Sequence, residues 1–151
     1  MANYKLGMNG KAYYSATLKA TTSDASSKTW IEADNLTNVN INLSKATADA
    51  TTRANSGWRA TVGTLREMQV TFEMIYKDSD AFLTAVKDAY MNGTELAMAF
   101  LTGDEGDAGE QGPSANFNVT DFSRSEDLEG VITHSVTLDS SSYQEWWTVS
   151  S

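Results

Sequence analysis

Between Thr64 and Lys77 (TLREMQVTFEMIYK), apolar and polar side chains take turns. From Met68 the even positions Met68, Val70, Phe72, Met74 and Tyr76 are apolar, while Gln69, Thr71, Glu73 and Lys77 are polar. A period of two sends alternate side chains to opposite faces of a pleated strand, so this stretch predicts a long strand with one face in a core. A second run, from Val39 to Ser44, sets Val39, Ile41 and Leu43 against Asn40, Asn42 and Ser44. Residues 45–63 between the two runs are polar and too numerous for an ordinary hairpin turn. A loop of that length in a compact domain is usually functional or disordered.

The same reading extends to the rest of the chain. A strand is predicted from Lys11 to Lys19, with Ala12, Tyr14, Ala16 and Leu18 opposed to Lys11, Ser15 and Lys19. After a Ser/Thr-rich loop from Thr21 to Lys28 comes a short strand from Thr29 to Ala33 carrying Trp30, closed by a turn at Ala33-Asp34-Asn35. Asp78-Ser79-Asp80 supplies N-cap candidates for one helix. Phe82, Val86, Ala89 and Tyr90 recur along it at helical spacing, Leu83 stands alongside, and Asn92-Gly93 ends it. Glu95 to Leu101 is apolar on both faces and predicts a fully buried strand. Residues 102–114 hold four glycines, four acids and the only proline, and predict an exposed, mobile loop. Further strands are predicted over Asn116–Phe122, Val131–Leu138 and Tyr143–Val149, with a charged turn from Arg124 to Gly130. The sum is a mainly β chain: an antiparallel β-sandwich or barrel, with one flanking α-helix over an open end or edge, in a single domain spanning 1–151.

Composition narrows the function. At 151 residues, 40% hydrophobic and 21% charged, the chain has the make-up of one folded domain with a real core. No apolar run approaches the roughly 18–20 residues of a membrane span, and the N-terminal stretch lacks the apolar centre of a signal peptide. Absence of cysteine removes disulfides and thiol nucleophiles and fits assembly in a reducing compartment. The net charge of −9 argues against general nucleic-acid binding, which needs cations to displace phosphate counterions. That charge is unevenly spread. Lys45, Arg53, Arg59 and Arg66 stand against Asp49 alone, whereas Asp104, Glu105, Asp107 and Glu110 have no basic neighbour in their loop. These are either two solvated loops or two surfaces that attract each other between copies.

Little points to catalysis. His134 is the only histidine and falls at an inward strand position, which reads as a hydrogen-bonded core residue rather than a catalytic one. One histidine and no cysteine exclude the usual zinc clusters, and DEGDAGE lacks EF-hand spacing, so no metal or other cofactor is implied. No P-loop, nucleophile elbow or dinucleotide fingerprint is present. Trp30, Trp146 and Trp147, with Tyr13 and Tyr14, read as core and interface packing, with a ligand platform as the alternative. Trp146 and Trp147 must point to opposite faces of their strand. Trp58 stands apart: beside Arg53 and Arg59 in a polar loop, it has the make-up of an interface anchor.

The block from Leu36 to Tyr76 resembles the major tail tube proteins of long-tailed bacteriophages. The resemblance is carried in order by N-x-N-L (Asn40 to Leu43), Asp49-Ala50-Thr51-Thr52-Arg53, Asn55-Ser56-Gly57-Trp58-Arg59, the small-residue step Val62-Gly63-Thr64-Leu65, and the V-T-F-E-M strand from Val70 to Met74. It implies the fold shared with type VI secretion tubes and a structural role in the virion tail. In that family, six-membered rings stack into a tube whose inner sheets join in one β-barrel. A tape-measure protein fills the lumen before DNA passes through it without specific binding, and tail terminator and distal tail proteins complete the tail. No membrane is involved. Carried onto this chain, the long loop at about 45–63 becomes an inter-subunit contact through Lys45, Asp49, Thr52, Arg53, Asn55, Trp58 and Arg59, ordered only on assembly. The loop at about 102–114 becomes its acidic counterpart through Asp104, Glu105, Asp107 and Glu110, and Gln69, Thr71, Glu73 and Lys77 become candidate lumen-facing residues. The alternatives are the tube of a contractile injection or secretion machine and a monomeric ligand-binding β-sandwich.

Overall fold

The computed structural model describes residues 4–150. Seven strands and one helix follow in the order β1 (Lys11–Ser15), β2 (Ile31–Ala33), β3 (Leu36–Asp49), β4 (Thr61–Ile75), α1 (Ala81–Asn92), β5 (Glu95–Leu101), β6 (Gln111–Ser125) and β7 (Thr133–Thr148). They form one sheet in the order β2-β1-β5-β6-β7-β4-β3, antiparallel throughout. The outermost strands, β2 and β3, are consecutive in the chain and separated only by Asp34 and Asn35. Such a link spans at most about 11 Å, whereas the edges of a flat sheet of this width stand roughly 29 Å apart. The sheet is therefore rolled until its edges meet at one corner, as a barrel or sandwich requires. Asn35 seals that corner: its carbonyl accepts from the Ile75 N–H (3.0 Å), and its side-chain amide donates to Ile75 O and Asp80 Oδ2 (both 2.8 Å).

The β6–β7 ribbon makes the bend. Register shifts between Ser114 and Asn116, at Asn116/Phe117 and between Val119 and Asp121 turn it, because an extra residue in one strand raises local twist. Before the bend β6 pairs with β5; beyond it β7 pairs with β4. Two half-sheets result, β2-β1-β5-β6 and β6-β7-β4-β3, sharing the long ribbon. The main core lies between them, with Met68, Val70, Phe72 and Met74 of β4 packed with Met98, Phe117, Val136 and Leu138 and the α1 residues Phe82, Val86 and Ala89. Phe82 touches both halves, with ring centroids 5.1 Å from Tyr14 and 5.8 Å from Phe72. Asp80 starts α1 by accepting from the Phe82 N–H (3.2 Å), and Gly93 ends it at φ +68°, a left-handed turn that costs glycine nothing.

A second apolar cluster covers the other face of β1 and β5: Tyr13, Ala25, Trp30, Ala97, Ala99, Leu101, Trp147 and Val149. It explains why β5 is apolar on both faces. β1 ends at Ser15, short of the predicted Lys19, and Lys19 itself turns inward. The Lys19 ammonium, fully buried, donates to Glu145 Oε1 (2.8 Å) and Ser114 Oγ (2.9 Å). β6 starts five residues before the predicted Asn116 and includes Pro113. Gly112 permits this, since a Cβ there would lie 1.6 Å from the Phe100 carbonyl oxygen. The two predicted C-terminal strands are one, β7, carried through Asp139–Ser142 with Tyr143 at φ +54°. The largest difference concerns residues 45–63. Strand pairing continues to Asp49↔Thr61, so the loop itself is residues 50–60, and the rest forms a two-stranded arm.

Candidate assembly surfaces

β3 contains no buried residue, and β4 is exposed from Thr61 to Glu67. At about 3.3 Å per residue the arm runs roughly 20 Å beyond the core boundary at Met68. A register shift between Lys45/Arg66 and Thr47/Gly63 bends it. Its tip carries a set of hydrogen bonds of its own. Asp49 Oδ1 accepts from the Thr51 N–H (2.9 Å) and hydroxyl (2.6 Å), contacts that hold its carboxyl below the usual range. Ala60 N–H donates to Thr51 Oγ1 (2.8 Å), Thr52 and Asn55 share a side-chain bond (3.0 Å), and Trp58 N–H donates to Asn55 O (2.9 Å). Trp58 is 78% exposed. Lys45 and Arg66 stand directly opposite each other across the strands, a like-charge pair that is unfavourable in the isolated subunit. Among the described residues, Lys45, Arg53, Arg59 and Arg66 form no salt bridge within the subunit.

The face of β3, β4, β7 and β6 turned away from the core is polar in continuous rows. Register aligns Asn38, Glu73, Ser135 and Ser123; then Asn40, Thr71, Thr137 and Asp121; then Asn42, Gln69, Asp139 and Asn118. Gln69 Nε2 donates to Asp139 Oδ1 (3.1 Å) and Asn38 Nδ2 to Glu73 Oε2 (3.3 Å). These rows hold three carboxylates and no cation. Gln69, Thr71 and Glu73 thus share one surface, and the predicted strand pattern is the reason. Lys77 does not join them: it lies past the end of β4, paired with Asp34 (3.1 Å) at the corner where the edges meet.

The acidic stretch is shorter and better anchored than its glycines predict. β5 and β6 confine it to residues 102–110. Asp104 lies 3.8 Å from Lys11, and the Glu105 N–H donates to the Tyr13 hydroxyl (3.1 Å), while burial pushes the Glu105 carboxyl up. Glu110 is buried and bonded by Lys5 and Thr102, which hold its carboxyl below the usual range. Asp104 and Asp107 remain exposed.

His134 is buried as predicted, but neither ring nitrogen has a hydrogen-bond partner. It stacks on Phe122 (5.2 Å) and lies 6.0 Å from Tyr76, an aromatic setting in which burial, then Arg124, holds the imidazole below its usual pKa. The tryptophans are dispersed: Trp30 and Trp147 stack at 5.9 Å in the second cluster, while Trp146 points out and donates to Gln111 Oε1 (2.8 Å). Among the described residues no group of three or more His, Asp or Glu side chains is placed to hold a metal ion, and no helix is long and apolar enough to cross a membrane.

Two strand edges complete the surfaces, and sequence reasoning named neither. β3 is an open edge for its whole length. Beyond Asn118, where β5 leaves it, residues 119–125 of β6 form the other open edge of the same half-sheet. Val39, Ile41 and Leu43, expected in the core, lie opposite the buried Phe72, Val70 and Met68, yet are 41%, 40% and 57% exposed. Alternation identified their face; it carried no sign that the subunit leaves that face half open.

A family model described as phage tail tube protein matches residues 9–144. No curated protein matches the chain. Solved structures share its fold. The tail of an empty gene transfer agent particle, refined with C6 symmetry, is 17% identical with a TM-score of 0.73 and covers 96% of this chain and 100% of its own. The SPP1 tail tube is 13% identical with a TM-score of 0.74, covering 98% and 81%. The baseplate of the anti-feeding prophage is 5% identical with a TM-score of 0.68, covering 99% of both chains.

Proposed function

The chain belongs to the phage tail tube protein family, and on that premise we propose that it assembles into stacked six-membered rings that form the conduit for DNA in a phage-type tail. The observation that carries this reading is the half-sheet β6-β7-β4-β3 with an open strand at each side. β3 and β7 run one way, β4 and β6 the other. Rotation about a ring axis brings β3 of one copy beside residues 119–125 of β6 in the next, and an even strand number keeps the junction antiparallel. Six copies, as in the C6 tail of the gene transfer agent, then contribute four strands each to one closed barrel. At ~4.8 Å per strand and a tilt of ~40° its backbone diameter is roughly 45–50 Å. Closure also removes the edge-strand liability of β3.

The polar rows through Gln69, Thr71 and Glu73 line the lumen in this arrangement. Their carboxylates repel DNA phosphates, so the polymer passes without adhering. Beforehand a tape-measure protein occupies the lumen, and tail terminator and distal tail proteins close the ends. The arm reaches the neighbouring ring: Trp58 is the apolar anchor, and Arg53, Arg59 and the Lys45–Arg66 pair take an anionic surface on the receiving copy, with Asp104 and Asp107 as the exposed acids of the loop predicted for it. Head-to-tail stacking needs two unlike surfaces and propagates without limit. The role is structural and non-catalytic.

Replacing residues 50–60 by an Asn-Gly turn between Asp49 and Thr61 tests this. The circular dichroism spectrum and melting temperature stay near those of the parent, while negative-stain microscopy shows no tubes. Long tubes from that variant would remove the arm from the stacking contact.

A further inference from the structure

This inference rests on the ring reading above and names a contact that reading leaves open. α1 packs across β6 on the core side, and its last turn reaches the stretch of β6 whose outer edge, past β5, no strand of the subunit pairs. Tyr90 stacks on Phe122 there, with centroids 6.3 Å apart and planes 22° from parallel. Even so, Tyr90 is 47% exposed, and Met91 beside it is 73% exposed. At the opposite edge of the same half-sheet, the stripe Val39, Ile41 and Leu43 faces the core side and stays half open. One edge thus carries an apolar cap with no floor. The other carries an apolar floor with no cap.

We propose that Tyr90 and Met91 of one copy pack on Val39, Ile41 and Leu43 of the next, so that each subunit's core is completed by its neighbour. A strand added at the edge of β6 lies about 4.8 Å from it, beneath the last turn of α1. The face that strand turns toward the helix must be apolar to exclude water from Tyr90, and β3 is the long unpaired strand that offers such a face. The contact also sets register. A slip of two residues keeps the faces of β3, which its pairing with β4 fixes, but moves the stripe along the edge and out from under Tyr90 and Met91, losing the apolar contact. The helix end is therefore the device that selects one ring geometry among the slipped alternatives.

The chain has no cysteine, so engineered pairs report without background. Met91→Cys is combined in turn with Val39→Cys, Ile41→Cys and Leu43→Cys, and tubes are oxidised mildly. A disulfide needs Cα atoms within about 7 Å, so at least one pair yields a reducible ladder of multimers ending at the closed ring, and the single variants yield none. Tubes with no ladder from any of the three pairs overturn the inference while the ring reading stands. A parent protein that forms neither rings nor tubes overturns both. Tyr90→Asp supplies an independent readout, with a melting temperature close to the parent's and assembly lost; normal tubes from a folded Tyr90→Asp protein also overturn the inference.

Discussion

β5 and β3 are both strands of this sheet, yet they serve opposite ends. β5 has seven residues, six of them buried, because one face meets the main core and the other meets the Trp30–Trp147 cluster. β3 has fourteen residues and none is buried, although its alternation is the more regular of the two. Burial of apolar area is the dominant favourable term in folding, so β5 and its neighbours hold the subunit together. β3 and the arm it forms with β4 contribute backbone pairing and an unfinished apolar face. What the subunit gains from the first region is stability; what it gains from the second is a place for another copy.

The largest effect that sharpens this contrast is expected at Phe82, which bridges the two halves from α1. Phe82→Ala leaves a cavity between Tyr14 and Phe72 and lowers unfolding free energy by about 3–5 kcal/mol, readable by denaturant titration. A loss below about 1 kcal/mol would mean that the halves cohere without the helix.

A smaller, pH-dependent effect is expected at His134, which Arg124 faces from β6, Met74 from β4, Tyr76 from just past the end of β4, and Glu126 from the turn. Burial makes the folded state bind the imidazole proton less tightly than the unfolded chain, whose value is about 6.5. As pH falls below that value the unfolded chain takes up a proton the folded one refuses, and stability drops. His134→Phe therefore flattens the melting temperature between pH 7 and pH 5, and an unchanged slope would locate the acid sensitivity elsewhere.

The smallest effect on folding is expected at the arm. Trp58→Ala changes stability by no more than about 0.5 kcal/mol, since the ring is exposed, yet shortens or abolishes tubes in negative stain. A measurable loss of stability would show that the tip packs on its own subunit.

The two regions also differ in how far the sequence revealed them. The alternation from Met68 to Met74 gave β4 and its polar face, and Asp80 and Gly93 bounded α1 within a residue or two, because period and capping are local properties. Lys45–Asp49 was not read as strand: KATAD alternates, but its apolar positions are only alanines and it holds a single β-branched residue, a weak signal that pairing with β4 makes good. Lys19 was set on the polar side of its strand because its partners, the buried Ser114 and the half-buried Glu145, lie 95 and 126 residues away in sequence. Glu110 was grouped with exposed acids for the same reason, its partner Lys5 lying at the other end of the chain. The candidate lumen rows were half legible: Gln69, Thr71 and Glu73 came from one strand, but Asp121 and Asp139 joined them only through register.

A cryo-electron microscopy reconstruction of tubes grown from the purified protein tests the assembly most directly. The account predicts residues 119–125 of β6 hydrogen-bonded to β3 of the adjacent copy, with Gln69, Thr71 and Glu73 turned to the lumen. Subunits joined through other edges, or those three side chains on the outer wall, would contradict it.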